Sequence, residues 1–175
     1  MVTMKRTLGF TLLELMVILA VASILLSVGV PSFRGVVMDN RMVGSANKFV
    51  TAVNMARSSA VRYQRSATIC SSTNWDQALP TCNGTADWTE GWIVWVDKDR
   101  DSATDADEIV VVHEPLHDAI AFVASTNSRF DYDPRGFGSG AGDTLTLCDS
   151  RTGETGRVIR VNNVGRTNVD TQTCP

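Results

Sequence analysis

The hydrophobic and polar positions divide the chain into three regimes. From Phe10 to Val30 most positions are apolar, and this 21-residue run holds one charge, Glu14. A helix rises about 1.5 Å per residue, so such a run spans roughly 30 Å, the hydrocarbon thickness of a bilayer. Pro31 ends it, and proline inside a helix removes a backbone donor and usually kinks the rod. Helical periodicity then resumes as far as residue 66. Val36, Val43, Ala46, Val50, Val53 and Ala60 recur at threes, fours and their multiples, with Phe33 and Phe49 near the same stripe. This predicts an amphipathic helix over 31–66.

From Ala67 the period shortens. Ala67 to Cys70, Trp92 to Val96, Ile109 to His113, Ile120 to Ala124, Arg129 to Tyr132, Thr144 to Cys148 and Arg157 to Val164 read as strands. They are short, rich in β-branched and aromatic residues, and separated by Gly, Asp, Asn and Pro. In Thr144 to Cys148, Leu145 and Leu147 share one face and should point at the core. About seven short strands after one long helix imply an α+β fold, the helix laid on antiparallel sheet, with 67–175 as a globular β domain.

Composition narrows the class. The chain has 175 residues, 43% hydrophobic and 20% charged, which excludes disorder and allows one domain with an attachment. Sixteen basic and 19 acidic side chains give a net charge of −3, against a surface devoted mainly to nucleic acid. Lys5 and Arg6 precede the apolar run and mark its cytoplasmic end by the positive-inside rule. The rest then lies outside the cytoplasm. Four cysteines without a CxxC pair fit two disulfides in an oxidising compartment better than a metal site. Of the three connectivities, Cys70–Cys82 with Cys148–Cys174 is the expected one, because it closes one short loop and ties down the C-terminus.

Glu14 conflicts with both bland readings of the apolar run, a secretory signal peptide cut after Ala20-Val21-Ala22 and a plain anchor. A carboxylate inside a membrane helix costs about 2.5–3.5 kcal/mol or more unless paired. No cation lies within a helical turn of it in the sequence. Its partner should therefore come from another chain or from a new terminus.

Gly9-Phe10-Thr11-Leu12-Leu13-Glu14-Leu15, preceded by Lys5-Arg6, resembles the class III signal of type IV pilins and pseudopilins. The resemblance implies a leader over 1–9, removed between Gly9 and Phe10 by a prepilin peptidase, and N-methylation of Phe10. It implies that 10–30 is retained as a single inner-membrane span, with the β domain in the periplasm. Glu14 becomes the fifth mature residue, the family's glutamate position, and the mature side-chain charge falls to −5. Ala56-Arg57-Ser58-Ser59-Ala60-Val61, Gly91-Trp92-Ile93-Val94-Trp95-Val96-Asp97, Phe130-Asp131-Tyr132-Asp133-Pro134-Arg135-Gly136 and Gly165-Arg166 resemble the GspH/FimT subgroup of minor pilins and pseudopilins. That likeness implies a pilin-like fold and a structural subunit of a type II secretion pseudopilus or a type IV pilus, supporting secretion or pilus biogenesis. The partners it implies are other pilins or pseudopilins, the peptidase and an inner-membrane assembly platform.

Other constellations carry less. Asp97, Asp99, Asp101, Asp105 and Glu108 fall at positions one, three, five, nine and twelve of an EF-hand-like loop, but Ser102 replaces its glycine. An acidic hairpin turn is the plainer expectation. His113 and His117 are four apart, with Pro115 between them opposing helical zinc geometry. The glycine-rich stretch 136–142 lacks a phosphate loop's strand-to-helix setting and its Gly-Lys-Ser/Thr ending. No metal, cofactor or enzymatic activity is expected. Between Ser32 and Ser66 six basic residues (Arg34, Arg41, Lys48, Arg57, Arg62, Arg65) face one acid, Asp39. From Asp76 to Asp133 there are 13 acids and three bases. Some relatives in the FimT branch take up DNA through a C-terminal Gly-Arg-x-Arg. Gly165-Arg166-Thr167-Asn168 resembles it, with Asn168 in place of the last arginine. Arg157, Arg160 and Arg166 are thus the candidate residues for DNA binding, the alternative function.

Overall fold

The computed structural model describes residues 9–174. The leader positions before Gly9, with Lys5 and Arg6, lie outside the described residues. One helix, α1 (Leu12–Tyr63), precedes eight strands: β1 (Ala67–Ser71), β2 (Trp92–Val96), β3 (Ile109–His113), β4 (Ile120–Ala124), β5 (Arg129–Tyr132), β6 (Asp143–Asp149), β7 (Thr155–Val161) and β8 (Thr167–Thr173). The chain forms two compact units, one ending at Asp39 and one beginning at Asn40.

The first unit is helical from Leu12. Thr11 caps it: its carbonyl accepts from the Leu15 N–H at 3.1 Å and its Oγ1 from the Glu14 N–H at 3.2 Å. The hydroxyl thus satisfies a donor that has no partner inside the helix. Pro31 lies within α1, which continues through it. The large apolar side chains from Phe10 to Val30 are exposed.

In the second unit α1 buries Met42, Ser45, Ala46, Phe49, Ala52, Val53, Ala56, Ser59 and Ala60. This corrects the expected stripe. Val43 is exposed and Val50 only half-buried. Met42 and Phe49 take the core side with Ala46, Ala52, Val53, Ala56 and Ala60, so the buried stripe is rotated by about one residue from the expected one. The helix ends at Tyr63, before the expected 66. Gln64 adopts a left-handed φ of 53°, and the Arg65 N–H returns to the Ala60 carbonyl at 3.2 Å, which closes the last turn.

Two four-stranded antiparallel sheets complete this unit, ordered β3-β2-β1-β5 and β4-β6-β7-β8. Phe49 is their meeting point with the helix. Its ring lies edge-on to Trp88 at 5.2 Å, Trp92 at 5.7 Å and Phe122 at 5.0 Å. Leu145 and Leu147 face this core, as their alternation requires. On the other face of the first sheet Cys70, Ile93 and Trp95 form a second buried cluster, flanked by Cys82 and Ile109.

The sequence expectation of seven strands is corrected to eight. The stretch expected as one strand from Arg157 to Val164 starts at Thr155, turns after Val161 and returns as β8. Gly165 makes that turn, with φ of +77° and its N–H bonded to the Asn162 carbonyl at 2.8 Å. A Cβ there would lie 2.3 Å from Tyr132 Cε1, so glycine is required by space as well as by conformation.

Candidate assembly site

The N-terminal segment carries the chemistry. Gly9 and Phe10 form the short exposed stretch before the Thr11 cap, and Glu14 occupies the first turn of α1. Thr11-Leu12-Leu13-Glu14 matches the Thr-x-x-Glu spacing of a capping box, so Glu14 is the third helical residue and lies where the helix dipole favours negative charge. Sequence reasoning missed Thr11, although that spacing was legible. Among the described residues no cation lies within ion-pair distance of Glu14. Around it Leu12, Leu13, Leu15 and Met16 are more than half exposed, a contiguous apolar surface of the kind that marks an interaction site.

In the second unit Cys70 is bonded to Cys82 and Cys148 to Cys174, with Cα separations of 5.5 and 5.7 Å. The first pair closes the loop that follows β1. The second fastens the end of β8 to β6 past Gly156, where a Cβ would lie 2.5 Å from Cys174 Sγ.

The acidic loop between β2 and β3 is organised around Glu108, which is buried. Its carboxylate accepts from the backbone N–H groups of Lys98, Asp99 and Asp105. Asp97 accepts from the Arg100 N–H and Asp101 from that of Ala103, each at 2.7 Å. Arg100 and Ser102 adopt positive φ, so the loop is tightly coiled. Lys98 pairs with Asp107. The carboxylates of Asp97, Asp99 and Glu108, and of Asp99, Asp101 and Asp105, form two groups whose oxygens lie within 4.8 Å of one another.

His113 and His117 do not share a helix. The His113 ring stacks on Trp92 at 3.9 Å and its Nδ1 lies 2.6 Å from the Glu114 carbonyl, whereas His117 Nδ1 accepts from the Ala119 N–H. Burial pushes the His113 imidazole below its ordinary value; the Glu114 carbonyl opposes this and the Lys48 cation adds to it. Of the C-terminal arginines, Arg160 pairs with Asp170 on β8, diagonally across from its register partner Asn168. Arg157 is half-buried and lies on the opposite side of β7, and Arg166 is exposed in the turn before β8.

The fold is pilin-like: one long N-terminal helix with two antiparallel sheets. The chain is similar to the Pseudomonas aeruginosa type IV minor pilin FimU in one crystal form, with a TM-score of 0.58 at 16% identity, over 76% of this chain and 90% of that one. For a second crystal form of FimU the TM-score is 0.55 at 16% identity, over 74% and 92%. No curated protein matches it by sequence. The profile of the prokaryotic N-terminal methylation motif matches residues 4–30, and that of the family described as Type II transport protein GspH matches residues 45–165. The chain belongs to the GspH family, within the GspH/FimT group of type IV pilin-like minor pilins and pseudopilins.

Proposed function

We propose that this chain is a structural subunit of a pilin-type fibre, built into a type II secretion pseudopilus or a type IV pilus, where it supports protein secretion or pilus biogenesis. One observation carries the reading. The single charge of a bilayer-length apolar run, Glu14, sits in the first helical turn, four residues after Phe10. Cleavage between Gly9 and Phe10 by a prepilin peptidase creates an amine, then N-methylated, in the same low-dielectric layer as Glu14. A neighbouring subunit brings the Phe10 amine of its own chain to this carboxylate, so each charge finds its partner only in the polymer. Before extraction by the assembly platform, residues 10–30 hold the chain in the inner membrane as a single span, with the second unit in the periplasm. The chain's role is architectural, and its chemistry is that of a substrate for the peptidase.

Leaving one member of a buried ion pair alone typically costs about 3–5 kcal/mol. Glu14→Ala is therefore expected to reduce the chain recovered in sheared fibres by at least about tenfold, since 1.4 kcal/mol is already a factor of ten. The amount in the membrane fraction should not change. Wild-type incorporation of Glu14→Ala would overturn the role assigned to Glu14.

A further inference from the structure

The length of the apolar run fixes which residues meet the bilayer surface. As a helix, Phe10 to Val30 fills a hydrocarbon layer of about 30 Å, and a headgroup layer of roughly 5–7 Å borders that layer on each side. The helix continues through Pro31 into the residues that follow. Phe33 and Arg34 therefore come about 4.5 and 6 Å beyond Val30, within the thickness of the headgroup layer. Both are exposed, Phe33 at 70%. Side chains on a helix lean toward its N-terminus, which here is the side of the apolar run. The Phe33 ring thus returns toward the acyl boundary, and the long Arg34 side chain keeps its guanidinium at the level of the phosphates.

Charge singles out Arg34. It is the one basic side chain in the described part of the first unit, residues 9–39. Among the described residues it has no ion-pair partner. Asp39 is the one acid that follows the apolar run in this unit; it already has a partner, and it comes about 13 Å beyond Val30, past the headgroup layer. A guanidinium stays protonated at every physiological pH, and its planar fork offers two parallel donors to phosphate oxygens. Loss of residues 1–9 takes Lys5 and Arg6 with it, so in the mature chain Arg34 is the side-chain cation nearest the apolar run.

We propose that Arg34 binds the phosphates of anionic phospholipids in the leaflet that faces the periplasm, with the Phe33 ring seated at the acyl boundary beside it. The inference rests on the membrane-held state described under the proposed function. It adds to that state the lipid chemistry that fixes the outer end of the span.

Solid-state NMR tests the contact directly. The full chain, labelled with ¹³C at the arginine guanidinium carbon, is reconstituted in bilayers of phosphatidylethanolamine and phosphatidylglycerol. In phosphate-free buffer the lipid is the only source of ³¹P. Dephasing of the ¹³C signal by ³¹P is expected, and Arg34→Gln should remove one arginine's share of it. Native mass spectrometry from a mild detergent then reads the lipid preference, with phosphatidylglycerol and phosphatidylcholine supplied in equal amounts. The retained ratio of phosphatidylglycerol to phosphatidylcholine should fall about fivefold in Arg34→Gln, the attraction of one cation for an anionic surface. Arg34→Lys keeps the charge and should hold that ratio near wild type. Dephasing that survives Arg34→Gln in full, an unchanged lipid ratio, or an equal fall in Arg34→Lys would each overturn the contact. Vesicle flotation separates this inference from the reading beneath it. A chain that floats without the Arg34 contact ends the inference and leaves the membrane-held state standing; a chain that does not float overturns both.

Discussion

A carboxylate in an oily helix and a phenylalanine among tryptophans make opposite demands on their surroundings, and both demands are measurable. Glu14 was legible in the sequence because a lone charge in a run of apolar residues breaks a strong pattern. Its helical cap, Thr11, is masked in the sequence by the signal-like run that surrounds it. For Phe49 the sequence shows only a place near the helical stripe, since its neighbours Trp88, Trp92 and Phe122 come from distant parts of the chain. Phe49→Ala should destabilise the second unit by about 3–5 kcal/mol, read as a lower urea midpoint. His113 is legible only through the strand register that sets it opposite Trp92. Its pKa is held below 6.5 in the folded state, chiefly by desolvation. The unfolded chain therefore takes up a proton more readily, and the His113 contribution is complete above pH 6.5 and declines as pH falls toward the folded value. An NMR titration of the imidazole should show this depressed midpoint, and His113→Phe should flatten stability between pH 7 and 5.

At the scale of elements, the strands that were legible are those with alternation or dense β-branched content, such as Trp92 to Val96 and Thr144 to Cys148. Strand β8 offers neither: Val169 is the only large apolar residue among its seven, and it is exposed rather than in the core. Pairing with β7 and the Cys148–Cys174 bond define it instead. The helical face was half legible. Ala46, Val53 and Ala60 do point inward, but the buried stripe runs through Met42 rather than Val43. The disulfides close loops of 12 and 26 residues. By loop entropy each contributes about 3 kcal/mol. Cys70→Ser with Cys82→Ser, and separately Cys148→Ser with Cys174→Ser, should each lower stability by about that amount in denaturant titrations. Gly91→Ala should be more disruptive than its size suggests. Its φ is +116° and an added Cβ would lie 2.4 Å from the His113 carbonyl oxygen, so the β2–β3 pairing must shift. Thermal melts of this variant should show a Tm several degrees lower than wild type.

The molecule as a whole divides its tasks between two units. The first exposes the apolar run from Phe10 to Val30, with Glu14 its one acid. The second buries its own core between α1 and two sheets and closes it with two disulfides. The long apolar segment and the signal before it were legible at this scale because they violate the composition of ordinary soluble chains. The burial of Glu108 was not, since it depends on how the hairpin loop 97–108 folds its own backbone around that carboxylate. In the proposed reading the chain becomes a fibre subunit by losing residues 1–9 and exposing an amine near Glu14. Intact-mass and N-terminal peptide mass spectrometry of the protein from its native host decides whether it does. A chain that begins at Phe10 and carries one N-methyl group is expected; an uncut leader, or a chain beginning after Ala22, would overturn the reading.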